Sequence, residues 1–380
     1  MKKSYLSGWG RRTAGIAAAA GLALTVPLSG SASAAEASAP IVEGLTGPLG
    51  LSVGADGTIY VAEAAFASET FEGKITTVDR KGRVKTLVED VVGGAIDAHG
   101  KGQVAYAVAL PPEAGEEAPG GTLLKRVLPN GNSSTSADMY AYEETVNPDQ
   151  GNTYGFVGLE PGCAAQVPPF LLGYGGIVDS NPYSVAIAGN KTYVAEAAGN
   201  AINVVTPNGS IDTVAVLPPI PQPVTAETKP AIDALLAEEG LPPLPDCTIG
   251  SDYLSEPVPT DVEVGPDGNL YVSSLPGAPE LPGYGSVWRV NPASGAVTLV
   301  AGGLSGAVDL AVADDGTIYV AELFAETAAP FPGAISRIDP TSGAVSTYAS
   351  VVTPGAVEWS TGTLYATVDV FGNGAVVTIG

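Results

Sequence analysis

The chain has 380 residues, with 16 Lys and Arg against 40 Asp and Glu, a formal net charge of -24, and 45% apolar residues. Such a surface repels nucleic acid and anionic membranes, so neither is expected as a partner, and it attracts cations and basic proteins. Two cysteines and one histidine are too few to build a structural zinc site.

In chain order, Lys2, Lys3, Arg11 and Arg12 precede an apolar stretch from Ala14 to Leu28, and Ala32, Ser33 and Ala34 form a small-residue cleavage pattern. Residues 1–34 are read as a signal peptide that is removed, with Ala35 as the alternative cut. The mature part, 35–380, is expected to be secreted, extracellular and monomeric. Arg11 and Arg12 leave the twin-arginine route open beside general secretion. No later segment is long enough to span a bilayer.

The mature part repeats itself. Leu51 to Glu63 (LSVGADGTIYVAE) recurs as Val262 to Ser274 (VEVGPDGNLYVSS) and as Leu310 to Glu322 (LAVADDGTIYVAE). Weaker copies run from Ala98 to Ala109, Val185 to Glu196 and Val357 to Val368, so the period is about 46 residues where no insertion intervenes. Each copy reads as two short strands, A and B, joined by an Asp-Gly turn. A second pair, C and D, follows, as in Gly285 to Val300 and Gly333 to Tyr348. Four strands per unit, six times over, predicts an all-β, six-bladed β-propeller with four-stranded blades. The last copy has only three strands. Pro40 to Gly47 (PIVEGLTG) matches Thr298 to Gly306 (TLVAGGLSG), so the N-terminal mature strand is expected to complete blade six and close the ring.

The A–B and C–D turns are tight, whereas the B–C loops are longer and two large insertions, near Met139 to Ser180 and Leu217 to Pro257, are D–A connections. In a meandering blade these emerge on one face, and long loops on a rigid scaffold are where binding resides. The domain is therefore read as a single propeller, 35–380, with insertions near 139–180 and 217–257 forming a lid. Each insertion carries one cysteine, and an even pair in an exported chain reads as a Cys163–Cys247 disulfide. Thr228 to Glu239 predicts a short helix stopped at Gly240.

Two acidic rows emerge when the copies are stacked. Asp97, Asp261 and Asp309 stand at the start of strand A; Glu63, Glu196 and Glu322 stand at the end of strand B. Clustered carboxylates hold a divalent cation, calcium being the first choice, or raise one another's pKa. The structural reading stands ahead of this: pairing with Arg126, Arg289 and Arg337, which recur at one position of strand C, and capping of backbone N–H groups. His99 lies within strand A of blade two and reads as a packed residue. No nucleophile elbow, zinc-protease motif or phosphate loop is present, so no catalytic residue is assigned.

Asp179 to Ala186 (DSNPYSVA), Tyr193 to Ile202 (YVAEAAGNAI), Ala141 to Asp149 (AYEETVNPD) and Val258 to Gly268 (VPTDVEVGPDG) resemble the ScyD/ScyE family of exported bacterial propellers. More distantly the copies resemble NHL repeats, gluconolactonase-like hydrolases and streptogramin lyases. The resemblance implies the fold and export and brings no established reaction. Blade two, with Ala105 to Leu110 (AYAVAL), departs from the Tyr-Val-Ala-acid pattern. The expected function is an extracellular binding or scaffold module engaging a protein, glycan or small molecule through the loop-rich face. The alternative is a divalent-cation-dependent hydrolase or lyase with a carboxylate-lined site at the channel mouth.

Overall fold

The computed structural model describes residues 35–64, 73–90, 94–99, 103–110, 121–127, 132–238, 240–325 and 332–380. The predicted signal peptide 1–34, most of the expected B–C loop Ala64 to Glu72, the expected loop Pro111 to Gly120 and part of the loop Leu323 to Pro332 lie outside them. After a short strand β1 (Val42–Leu45), the first sheet comprises β2 (Pro48–Val53), β3 (Ile59–Ala64), β4 (Gly73–Val78) and β5 (Val84–Asp90). The second holds β6 (Ile96–His99), β7 (Gln103–Leu110), β8 (Gly121–Val127) and β9 (Ser133–Asp138). Helix α1 (Met139–Val146), the two-residue strand β10 (Gly155–Phe156) and helix α2 (Pro161–Ala164) lead to the third sheet: β11 (Pro182–Ala188), β12 (Lys191–Glu196), β13 (Ala201–Val205) and β14 (Ile211–Val216). Then come β15 (Ile220–Pro223), helix α3 (Lys229–Glu238) and β16 (Asp252–Ser255).

The fourth sheet is β17 (Pro259–Val264), β18 (Leu270–Ser274), β19 (Gly285–Val290) and β20 (Val297–Leu304). The fifth is β21 (Ala307–Val312), β22 (Ile318–Glu322), β23 (Pro332–Ile338) and β24 (Val345–Val352). The sixth is β25 (Ala356–Ser360), β26 (Thr363–Val368) and β27 (Gly374–Ile379), with β1 antiparallel to β27 as its fourth strand. Among the described residues there are thus six four-stranded antiparallel sheets. First strands pack on first strands, in the order β2, β6, β11, β17, β21, β25, and β25 also packs on β2.

The Asp-Gly turns show why these strands form. Asp56, Asp267 and Asp315 each accept the N–H two residues on, at 2.9, 3.0 and 2.9 Å, and Gly57, Gly268 and Gly316 take φ of +76°, +77° and +86°. An L side chain would be strained there, so the Asp-Gly pair fixes each A–B hairpin locally. The strands it joins are buried: every residue of β2, β18 and β22 is in the core.

The two insertions form one layer. Strands β10, β16 and β15 make a three-stranded sheet, and Phe156, Leu171, Ile232, Leu236, Leu244 and Tyr253 give it an apolar core of its own. The predicted helix is present as α3, and Cys163 and Cys247 are bonded, with Cα atoms 5.8 Å apart. The sheet and α1 were not expected. Strands of two to four residues carry no readable alternation, and α1 is announced chiefly by Asp138, whose Oδ1 accepts the Ala141 N–H at 2.9 Å. Among the described residues no helix is long and apolar enough to cross a membrane.

Candidate functional site

The acids at the start of strand A hold neighbouring sheets together. Ile187 N–H donates to Asp97 Oδ2 at 2.6 Å, Leu310 N–H to Asp261 Oδ2 at 3.0 Å and Val357 N–H to Asp309 Oδ1 at 2.8 Å. Glu358 continues the series, accepting Val53 N–H at 3.3 Å. Hydroxyls cover the junctions that lack such an acid. Ser52 Oγ accepts Ala98 N–H and donates to Asp97, both at 3.0 Å, and Ser184 Oγ donates to Asp261. Every junction between successive first strands therefore carries at least one such bond.

The acids at the end of strand B act within one sheet. Glu63 accepts Thr46 N–H at 2.8 Å and the Thr76 hydroxyl. Glu322 accepts Ser305 N–H at 2.6 Å and the Ser336 hydroxyl, and Glu196 accepts Asn181 N–H and the Ser180 hydroxyl. Each caps the connection that leads into strand A. The three recurrent arginines point elsewhere: Arg126 donates to the Thr192 hydroxyl, Arg289 acts on Tyr271, and Arg337 lies near Asp315, Tyr319 and Asp339. Hydroxyls and backbone amides supply the pairing that the sequence assigned to arginine. Among the described residues, only Glu63 of these acids has a nearby lysine, Lys74, at 3.6 Å.

The structure brings Asp97, Asp261 and Asp309 into one electrostatic group, joined by Glu263 and Glu358. Burial raises the pKa of all five, Asp261 to about 6, and for Glu263, Asp309 and Glu358 mutual repulsion adds to it. Glu263 and Glu358 both stand where the first repeat has Ser52, so this third acidic column was visible in the alignment. Glu63, Glu196 and Glu322 stay apart from the group. His99 is exposed.

A second acidic region was missed. It lies where the first insertion meets the third sheet and contains Glu143 on α1, with Asp149, Asp179, Glu196 and Asn200. Glu143, Asp149 and Asn200 are each 1% exposed. Asp149 Oδ2 accepts Asn200 Nδ2 at 2.8 Å and the Tyr154 hydroxyl at 3.0 Å. Burial, then the nearby Glu196, Asp149 and Asp179, push the Glu143 carboxyl up to about 8. Burial pushes Glu196 to about 8 and Glu256 to about 7. Among the described residues no three His, Cys, Asp or Glu side chains are gathered so as to hold a metal ion. The insertion layer lines an apolar pocket of ≈ 20 Å³ between Phe156, Ile232, Leu244 and Tyr253, room for little more than one water-sized body.

No protein-family model matches the chain, and no curated protein matches it. Solved structures do. A gluconolactonase from Xanthomonas campestris is similar over 90% of this chain and 89% of its own, with 11% identity and a TM-score of 0.51. A streptogramin B lyase covers 91% of this chain and 97% of its own at 13% identity and a TM-score of 0.45. A putative glucose dehydrogenase from Thermus thermophilus covers 91% and 99% at 16% identity and 0.49. At such identities likeness speaks for architecture alone; the likeness to the gluconolactonase, with the four-stranded sheets described above, shows that the chain is a β-propeller.

Proposed function

We propose that the chain is a secreted, six-bladed propeller of the ScyD/ScyE kind, closed through β1 and acting as an extracellular binding or scaffold module through its loop-rich face. Six four-stranded sheets, the pairing of β1 with β27 and the packing of β25 on β2 support the closed ring. One observation carries the binding role. The two insertions fold into a layer with its own core and disulfide, and this layer holds Val146, Val157, Val178 and Ile249 in solvent at 37%, 54%, 43% and 44% exposure. A braced layer that displays apolar side chains suits contact with a protein, glycan or small molecule.

The test is an array of secreted proteins and glycans probed with the mature chain and with the Val157→Asp/Ile249→Asp double variant. A ligand held by the first and lost by the second supports the role. Equal binding by both, or no binding by either, removes it. The second reading, a divalent-cation-dependent hydrolase or lyase, draws on the group of Asp97, Asp261, Glu263, Asp309 and Glu358. It requires that Asp261→Asn abolish a cation-dependent turnover.

A further inference from the structure

We propose that Glu143, Asn147, Asp149 and Asn200 form a calcium site that ties α1 to the third sheet. The proposal stands apart from the binding role of the exposed layer. Five buried oxygens in this region have no hydrogen-bond partner: both carboxylate oxygens of Glu143 and one oxygen each of Asn147, Asp149 and Asn200. All five are acceptors. The amide groups of the two asparagines are turned so that nitrogen is used and oxygen is not: Asn147 Nδ2 donates to Gly176 O at 3.2 Å and Asn200 Nδ2 to Asp149 Oδ2 at 2.8 Å.

Two glycines let the carboxylates lie directly on backbone. A Cβ on Gly176 would fall 1.8 Å from Asp149 Oδ1, and one on Gly199 would fall 3.0 Å from Glu143 Oε2 and 3.1 Å from Glu196 Cγ. Asn147 and Asn200 hold left-handed backbone, φ +41° and +52°, which places their side chains at these turns. The charged groups acting on Glu143 are all acids: Glu196, Asp149 and Asp179.

A carboxylate buried among acceptors is relieved by a proton or by a cation. A proton on Glu143 would satisfy at most one of the other oxygens. A cation satisfies several at once and neutralises Glu143 and Asp149 together. The donor set is carboxylate and amide oxygen without nitrogen or sulfur, which suits a hard cation. Its irregular layout, with one acid on a helix and the other three groups at its cap and in turns, suits calcium, which accepts six to eight oxygens in flexible geometry with water completing the shell, better than magnesium. Two acids with two amides fall short of a three-acid cluster, in keeping with the absence of such a cluster among the described residues.

The test uses the full mature chain, stripped with chelator and returned to calcium chloride. The melting temperature of the wild type is expected to rise with half-saturation at about 0.1–1 mM, the range of extracellular calcium modules. Glu143→Gln, which keeps the shape and removes the charge, loses this rise, whereas Asp261→Asn keeps it. Terbium supplies a second readout that does not depend on melting. Tyr154, whose hydroxyl donates to Asp149 at 3.0 Å, is placed to sensitise its emission, and calcium should displace it. Absence of any calcium response in the wild type, or a response that Glu143→Gln retains in full, would overturn the site.

Discussion

On the inner strands a buried carboxylate meets the backbone N–H of the next sheet; beside α1 a buried carboxylate meets only other acceptors. Asp261 has Leu310 N–H on one oxygen and the Ser184 hydroxyl on the other, while Glu143 has nothing on either. Both are acids almost fully removed from water, and burial raises the pKa of both. The difference lies in where each came from. Asp261 occupies a repeat position whose geometry recurs around the molecule, so its partner is supplied by the neighbouring copy. Glu143 sits in an insertion that occurs once, and no neighbour is built to receive it. Residue type and burial do not separate structural acids from ligand-like ones; the partner does.

The largest effect should come from cutting the covalent link within the insertion layer. Replacing Cys163 and Cys247 with Ser opens a loop of 84 residues' separation, for which the chain-entropy limit is about 4–5 kcal/mol. Hydrogen exchange should quicken at Phe156 and Tyr253 in the insertion layer and stay slow in β18 and β22. Faster exchange spread evenly over both would mean that layer and sheets are one cooperative unit.

Next in size, Asp261→Ala orphans a buried N–H and a buried hydroxyl and should cost about 2–4 kcal/mol in denaturant unfolding. Glu358→Ala removes a single 3.3 Å bond from a half-buried residue and should cost about 1 kcal/mol or less. If the two cost the same, the inner-strand bonds do not carry the weight their geometry suggests. Gly176→Ala probes the other region. The added Cβ collides with Asp149 Oδ1, and such crowding costs about 1–3 kcal/mol. The loss should be confined to the region around α1, read as weaker terbium emission with the sheets intact.

The repeat made the sheets legible because its signal is redundant: three near-identical LSVGADGTIYVAE-like segments fix turn, register and burial together. The terminal strand was legible for the same reason, through its match to β20. The site was legible only in part. Stacking the copies located Asp97, Asp261 and Asp309, yet it could not show that the space each faces is filled by the N–H of the next sheet, a fact of quaternary-like packing within one chain. Glu143, Asp149 and Asn200 lie outside the repeat, in segments with no second copy to align. Gly199 and Asn200 stand only three and four residues beyond Glu196, but their importance depends on α1 arriving from more than fifty residues away.

A further effect is a pH dependence, and its sign distinguishes acids held neutral from acids held ionised. Asp261 titrates at about 6 in the fold against 3.8 when unperturbed, chiefly through burial. The folded chain keeps a proton that the unfolded chain has released between those values. The stability this confers is complete below about 3.8 and is lost as pH rises through about 6. Asp97, Glu263, Asp309 and Glu358, which face the same inner strands, are raised too and act in the same direction. Glu256, at about 7, extends the window upward. Asp56, Asp79, Asp315 and Asp339, whose pKa values are lowered by backbone N–H bonds, lose their contribution only below the ordinary carboxylate range and do not offset it. In chelator, stability should therefore fall between pH 5 and pH 8, Asp261 alone contributing about 1–2 kcal/mol, and Asp261→Asn should flatten that part of the slope. A melting temperature that climbs over the same interval would mean that the N–H bonds from neighbouring sheets outweigh burial and keep the inner acids charged.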